Sequence, residues 1–208
     1  MVDIPFIAKG FRGRKPSGPP GRLPPGQYEE RDFPVLSAGP TPRTPVDHWD
    51  FTVRGADDRA ARWTWDEFRA LPRETPKVDI HCVTKWSKFD TNWEGVSVDT
   101  LVAKAAEGGV AQLPYVMAFS DGGYTTNVPL ADVTGGKAWV VFGYDGAPLP
   151  AEHGGPARLL VPHLYFWKSA KWVRGLRFME RDEPGFWERL GYHDRGDPWR
   201  EQRYQGDP

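Results

Sequence analysis

Prolines and glycines interrupt this chain so often that a long helix has little room to form. The 208 residues include 21 prolines and 23 glycines. Proline ends helices and glycine favours turns, so the segments that lie between them suit short strands. The sequence therefore predicts an α+β fold that is mostly β, with only a few short helices.

Several segments alternate between apolar and polar residues, or run apolar, over a length typical of strands. They are His48–Gly55, Tyr115–Ser120, Tyr124–Leu130, Ala138–Phe142, Arg158–Val161 and Trp172–Phe178. The run Ala138–Phe142 is apolar throughout, which predicts a buried strand.

The helix signals are short. Thr64 and Glu67 have the spacing of a capping box and predict a helix from there to about Leu71. Val98–Ala106 predicts a second helix. The spacing of apolar residues in the C-terminal tail predicts a third, around Pro184–Leu190, and a tail that packs back on the domain.

The stretch Lys77–Trp86 holds the only cysteine of the chain, Cys82. Val78, Ile80 and Cys82 alternate as in a half-buried strand. After Trp86 the pattern becomes polar and aromatic, which predicts a loop over 87–95. A thiol where a strand gives way to a loop is held rigidly and can still be reached.

Three interpretations of Cys82 follow from the residues alone. The thiol is a metal ligand, a nucleophile, or a small buried hydrophobe. A thiol hydrolase would need His81, His153 or His163 as its base. His81 is badly placed for this, because neighbouring residues of a strand point to opposite faces.

Charge and cysteine usage exclude several classes of protein. The formal net charge of −1 provides no general attraction to nucleic acid or anionic lipid. A single cysteine cannot form an internal disulfide, so the fold does not require an oxidising compartment. We find no export signal or membrane span and expect a cytoplasmic protein.

Composition divides the chain into three parts. Residues 1–30 are basic and rich in proline and glycine, which predicts a disordered leader or an arm ordered only by contact. Such an arm could also dock a redox partner. Residues 31–180 form the predicted domain, and residues 181–208 form the tail.

Two segments resemble those of a known family. The first is His81–Ser87 followed by Trp93–Val96, which is similar to the molybdenum-ligand segment of the sulfite oxidase fold family. The second, which looks like the pterin-phosphate run of that family, comprises Glu152–Leu159, Val161–Tyr165 and Trp167–Val173. The order and separation of the two segments match the family, and the resemblance covers roughly residues 33–179.

The resemblance implies a sulfite oxidase-type fold that binds molybdopterin, with Cys82 as the metal ligand. A soft thiolate suits molybdenum and tunes its potential. Dianionic phosphate requires guanidinium, ammonium or free backbone N–H groups. The implied cofactor-binding residues are His81, Cys82, Asp121, His153, Arg158, Lys168, Ser169, Ala170 and Lys171.

Two of these residues carry an alternative interpretation. His81 more plausibly fixes local hydrogen bonds than touches the metal. Ser120 or Asp121 corresponds to a cofactor contact of the family, but Asp121 could instead start a turn by accepting backbone N–H bonds.

The implied activity is two-electron oxygen-atom transfer on a small or protein-bound substrate. Small single-domain members such as the protein-methionine-sulfoxide reductase catalytic subunits make substrate reduction as plausible as sulfite oxidation. True sulfite oxidases hold their oxyanion with an arginine and a histidine, and the corresponding positions here are Leu36 and Ala38. A module that binds the cofactor without turnover remains an alternative. We expect no haem, and therefore a separate electron-transfer protein or a diffusible electron donor or acceptor.

Overall fold

The computed structural model describes residues 18–19, 21–57 and 59–208 of the chain. Most of the predicted basic arm therefore lies outside the described residues. The part of it that is described joins the domain: Gln27 is buried, and Tyr28 and Glu29 form a short strand. The predicted boundary at residue 30 falls inside this contact.

The described elements are short, and most of them are strands, which confirms the predicted class. The strands are β1 (Tyr28–Glu29), β2 (Asp50–Arg54), β3 (Ala60–Thr64), β4 (Lys77–His81), β5 (Trp86–Ser97), β6 (Tyr115–Ser120), β7 (Thr125–Pro129), β8 (Trp139–Tyr144), β9 (Ala147–Pro148), β10 (Arg158–Leu160) and β11 (Val173–Met179). The α-helices are α1 (Trp65–Arg69), α2 (Val98–Glu107) and α3 (Leu130–Val133). Single 3₁₀ turns occupy Val46–His48, Asp121–Gly123, Ala151–His153, Phe166–Lys168, Glu188–Leu190 and Pro198–Arg200.

The strands form two sheets. The first has the order β1-β5-β8-β10, with β4 also paired to β5 and β9 to β8. The second has the order β3-β2-β11-β6-β7. Within the second sheet, β11 runs parallel to β2 and antiparallel to β6.

The main core lies between the sheets, and a second apolar cluster covers the far face of the first sheet. Val140 and Leu159 belong to the main core. Their neighbours Val141 and Leu160 belong to the second cluster, together with Cys82. Both faces of β8 are therefore covered, which explains why its sequence is apolar throughout.

The sequence predicted the first two helices correctly. The Glu67 carboxylate accepts a hydrogen bond from the Thr64 backbone N–H at 2.8 Å, as a capping box requires. The Ser97 hydroxyl accepts one from the N–H of Thr100 at the start of α2.

The predicted loop over 87–95 is wrong, because these residues belong to the long strand β5. Its polar residues are accommodated inside the sheet. The Thr91 hydroxyl donates to the Val78 carbonyl at 2.5 Å, and the Trp93 indole donates to the Thr91 hydroxyl at 2.8 Å. At Gly95 the strand passes so close to β8 that a Cβ would lie 2.4 Å from the Val140 carbonyl oxygen.

The predicted helix around Pro184–Leu190 is also wrong, apart from the single turn Glu188–Leu190. The chain before that turn is held along β7. The N–H of Phe186 donates to the Thr125 carbonyl at 2.8 Å, which occupies backbone that a helix would need. The alternation at Ala60–Thr64, which forms β3, was missed.

None of the helices in the described part of the chain is long and apolar enough to cross a membrane.

Candidate functional site

Cys82 lies in the tight connection between β4 and β5. Its N–H donates to the Trp86 carbonyl at 2.8 Å, and its carbonyl accepts from the Lys85 N–H at 3.0 Å. Lys85 has a φ of 76°, a left-handed conformation that non-glycine residues rarely adopt. The Gln27 side chain also donates to the Cys82 carbonyl at 3.1 Å. The backbone around the thiol is therefore fixed from both sides.

The Cys82 side chain is 8 % exposed. Its sulfur accepts a hydrogen bond from the Thr84 hydroxyl at 3.1 Å. Burial raises the pKa of the thiol, although Thr84 and the Lys171 ammonium oppose the rise. The thiol is consequently neutral near pH 7, and a bound cation or metal would be needed to hold it as the thiolate.

His81 is buried and is the last residue of β4. Its Nδ1 lies 2.8 Å from the Ser87 hydroxyl oxygen. Burial lowers the pKa of His81 to about 4, so the ring is neutral at physiological pH. This geometry supports local hydrogen bonding as its role.

Arg158 is a buried cation without a carboxylate partner among the described residues. Its guanidinium donates to the His153 carbonyl at 2.8 Å and the Ser169 carbonyl at 2.6 Å. It lies 3.9 Å from the centroid of the Phe166 ring. Burial lowers its pKa to about 9, and the neighbouring ionisable groups of Tyr124 and Cys82 act in the opposite direction. A bound anion would compensate this charge.

Lys171 adds a second cation to the same region. Its ammonium donates to the Leu36 carbonyl at 2.7 Å and the Glu152 carbonyl at 2.6 Å. Burial and the neighbouring Arg158 lower its pKa to about 7. The lysine thereby joins the segment that opens the domain to the loop before β10.

His153 lies between these cations and a cluster of aromatic rings. Its ring stacks on Phe33 with a centroid distance of 3.9 Å. Burial, together with the charges of Lys171 and Arg158, lowers its pKa to about 4. Its Nδ1 is buried without a hydrogen-bond partner in the described part of the chain.

The backbone around Arg158 is folded tightly. At Gly155 a Cβ would lie 2.1 Å from the Leu149 carbonyl oxygen, so only glycine fits. The Ala170 carbonyl accepts from the Leu159 N–H at 2.8 Å. The Ser169 hydroxyl accepts from the Val161 N–H at 2.9 Å. Ser169 and Ala170 therefore lie beside β10, the strand that begins with Arg158.

Lys168, which the resemblance assigns to cofactor binding, has its ammonium bound by other residues in this structure. Its side chain is fully buried and lies 2.6 Å from the Glu188 carboxylate. It also donates to the backbone and side-chain carbonyls of Asn127, at 2.8 and 3.1 Å. These acceptors saturate its three N–H donors.

The Asp121 side chain is engaged elsewhere too. Arg174 donates to one of its carboxylate oxygens at 3.1 Å, and the Thr44 hydroxyl donates to the other at 2.5 Å. Asp121 is also the first residue of a 3₁₀ turn, as one of the two interpretations of this residue expected. Its carboxylate is bound by side chains of distant segments.

Sequence reasoning missed Phe33 and Trp86 as residues of the site. The Phe33 ring contacts Trp86, Trp93 and Phe166 at centroid distances of 6.3, 6.0 and 5.9 Å. The Trp86 indole N–H is buried without a partner among the described residues. The number of tryptophans and phenylalanines near Cys82 was the available signal.

The residues beside Cys82 fit an anionic group that carries many hydrogen-bonding atoms. Arg158 and Lys171 supply positive charge, and no carboxylate of the described residues pairs with either. His153 Nδ1 and Trp86 Nε1 supply buried polar atoms that await a partner. A groove lined by Asp50, Arg54 and other residues of the second sheet contains none of the predicted site residues.

The known proteins that this chain is similar to are oxidoreductases. Residues 38–187 match the model of the oxidoreductase molybdopterin binding domain. The chain is 42 % identical over 198 residues to the uncharacterized oxidoreductase YuiH of Bacillus subtilis, covering 95 % of this chain and 99 % of that protein. It is 26 % identical over 153 residues to the protein-methionine-sulfoxide reductase catalytic subunit MsrP of Ralstonia nicotianae, covering 67 % of this chain and 46 % of that protein.

Among solved structures, the chain resembles the sulfane dehydrogenase SoxCD from Paracoccus pantotrophus, with a TM-score of 0.60 and 20 % identity. This match covers 73 % of this chain and 42 % of the other. It confirms the predicted sulfite oxidase-type fold. The chain spans less than half the length of the MsrP relative and of this structure.

Proposed function

This chain belongs to the family of oxidoreductases with a molybdopterin-binding domain, and on that premise we propose that it carries out two-electron oxygen-atom transfer with Cys82 as the protein ligand of molybdenum. The proposal rests chiefly on one observation. The only thiol of the chain lies at the end of β4, in the electrostatic reach of a buried guanidinium that has no carboxylate partner among the described residues.

Charge compensation explains why these residues belong together. The oxidised cofactor would bring a phosphate and sulfur donors, and the Cys82 thiolate would add another negative charge. Arg158 and Lys171 would balance this charge. His153, Ser169 and Ala170 would hold the cofactor from the loops on either side of β10.

The cofactor supplies the two-electron chemistry when it is bound, and the chain supplies position and environment. The β4–β5 connection fixes the direction of the Cys82 sulfur. Phe33, Trp86 and Phe166 cover the site with apolar rings, which exclude water and strengthen the electrostatic effect of Arg158.

We infer that the substrate is not recognised as sulfite. In the resembling family an arginine and a histidine hold that oxyanion, whereas Leu36 and Ala38 occupy the corresponding positions here. Both are exposed, and the Leu36 carbonyl is held by Lys171. A neutral sulfoxide suits this apolar rim better, and the relatives named for reduction of methionine sulfoxide in proteins support the same substrate class.

A thiol hydrolase is disfavoured by the geometry. The His81 ring is bonded to Ser87 rather than to the Cys82 sulfur. Burial raises the pKa of the thiol, which lowers its reactivity as a nucleophile. Residence in the cytoplasm and a separate electron-transfer partner remain part of the proposal.

Elemental analysis and cofactor release test the proposal. The chain should be purified from a host that makes the cofactor. We expect about one molybdenum per chain and a fluorescent pterin on denaturation. Protein without either would refute the proposed function. The loaded protein is then screened for reduction of sulfoxides and for oxidation of sulfite, and faster sulfite turnover would contradict the inferred substrate class.

A further inference from the structure

The Thr84 hydroxyl is aimed at the Cys82 sulfur. Its oxygen lies 3.1 Å from Sγ and acts as the donor. The contact spans only two residues, so it is set by the local turn rather than by distant packing. Thr84 is half-buried, which keeps water from competing freely for the sulfur.

The turn holds the Thr84 hydroxyl in place beside the sulfur. Lys85 adopts its left-handed conformation while its N–H closes the turn onto the Cys82 carbonyl at 3.0 Å. The Gln27 side chain donates to the same carbonyl at 3.1 Å. The Thr84 hydroxyl is therefore a donor in a fixed position, and a substitution can remove it.

We propose that Thr84 is a positioning residue that sets the reduction potential of the metal held by Cys82. The inference rests on the proposed function, since it requires a metal on the thiolate. Thr84 is not a predicted ligand and contributes only through the sulfur.

The physical reason is the distribution of electrons on the sulfur. A hydrogen bond to a metal-bound thiolate withdraws electron density and weakens donation to the metal. The electron-rich, reduced state is then favoured and the potential rises. The fixed backbone matters as well, because a donor that could rotate away would leave the potential variable.

The experiment is a redox titration of the purified, molybdenum-loaded protein, comparing wild type with Thr84→Val and Thr84→Ser. Valine keeps the shape and removes the donor, whereas serine keeps the donor. We expect Thr84→Val to lower the midpoint potential by about 30 mV, a tenfold change for a two-electron couple. Thr84→Ser should remain near the wild type. Absorption from sulfur-to-metal charge transfer should shift in Thr84→Val only.

Thr134→Val is a matched control. Its hydroxyl also donates one hydrogen bond, to the Leu130 carbonyl at 2.9 Å, but at the end of α3. It should lose stability without any change in potential. Molybdenum content is measured for every variant. If Thr84→Val does not load, Thr84→Ala replaces it. Failure of both to load, while Thr84→Ser loads and all three remain folded, would overturn the proposal, because the donor would then be required for metal binding rather than for setting the potential.

The outcomes separate this inference from the proposed function. Wild-type protein that lacks molybdenum would refute both. Loaded Thr84→Val with an unchanged potential and spectrum would overturn the role of Thr84 and leave the proposed function intact. Equal shifts in Thr84→Val and Thr84→Ser would also overturn it, because the hydroxyl would then not be the cause.

Discussion

Two buried cations that lie ten residues apart in the sequence have different hydrogen-bond partners. Lys168 is paired with the Glu188 carboxylate at 2.6 Å, and both side chains are inaccessible to solvent. Arg158 is equally buried, but it has only backbone carbonyls as acceptors among the described residues. The paired lysine therefore fastens the tail to the domain, whereas the arginine holds a charge that the described protein leaves uncompensated.

This contrast distinguishes a structural charge from a charge kept for a ligand. Breaking a buried pair leaves one charge alone in a medium of low dielectric constant. Removing an uncompensated charge should instead cost little in stability and much in ligand affinity. Stability and cofactor content can therefore tell the two roles apart.

The largest expected effect is on the paired cation. Glu188→Ala should lower the free energy of unfolding by about 3–5 kcal/mol, because it leaves the Lys168 ammonium buried without a carboxylate partner. The Trp167 indole also loses its acceptor, at 2.9 Å. Urea unfolding of the cofactor-free protein measures the change. Glu183→Ala, which breaks the exposed pair with Arg177, is the control and should cost less than about 1 kcal/mol. Equal losses of unfolding free energy in Glu188→Ala and Glu183→Ala would show that the buried pair contributes no more to stability than the exposed pair.

Arg158→Met should separate stability from binding. The lost hydrogen bonds and the removed buried charge oppose each other, so we expect the cofactor-free protein to change by no more than about 1 kcal/mol. Cofactor affinity should fall by about 10–100-fold, measured as molybdenum content under limiting cofactor. Arg177→Met, at an exposed position, should retain the cofactor. A large loss of stability in Arg158→Met with normal molybdenum content would assign Arg158 a structural role.

The smallest effect is a change in pH dependence at Lys171. Its pKa in the folded, cofactor-free protein is about 7, below its ordinary value of 10.5. Between these values the unfolded chain binds a proton that the folded chain does not, so the stability contributed at Lys171 rises with pH. Wild type should therefore gain stability relative to Lys171→Met between pH 7 and about pH 10. Urea unfolding of both proteins across this range checks the sign, and a constant difference would contradict it.

The sequence predicted those parts of the fold that short-range chemistry determines. The capping box at Thr64 and the apolar run of β8 each follow from a local rule, and both are present. The alternation breaks over residues 87–95, and no local pattern predicted that the Thr91 hydroxyl would accept from the Trp93 indole and donate to the Val78 carbonyl. That arrangement depends on pairing with β4 and β8, which local patterns do not contain.

In the candidate site, too, local features could be predicted and features that depend on distant contacts could not. The sequence predicted the strand that leads to Cys82. It missed the turn at Cys82–Lys85, because the prediction placed the end of the regular pattern only after Trp86. The sequence could not distinguish Lys168 from Lys171, because the difference depends on Glu188, which lies in the tail. Phe33 was missed for the same reason, since its partners are distant in the sequence.

The most direct test of Cys82 as a metal ligand is X-ray absorption at the molybdenum edge of the loaded protein, comparing wild type with Cys82→Ser. Thiolate sulfur and hydroxyl oxygen differ in their distance from a metal and in how strongly they scatter. We expect the variant to have one sulfur ligand fewer than the wild type. Identical sulfur coordination in the two proteins would show that Cys82 does not bind the metal.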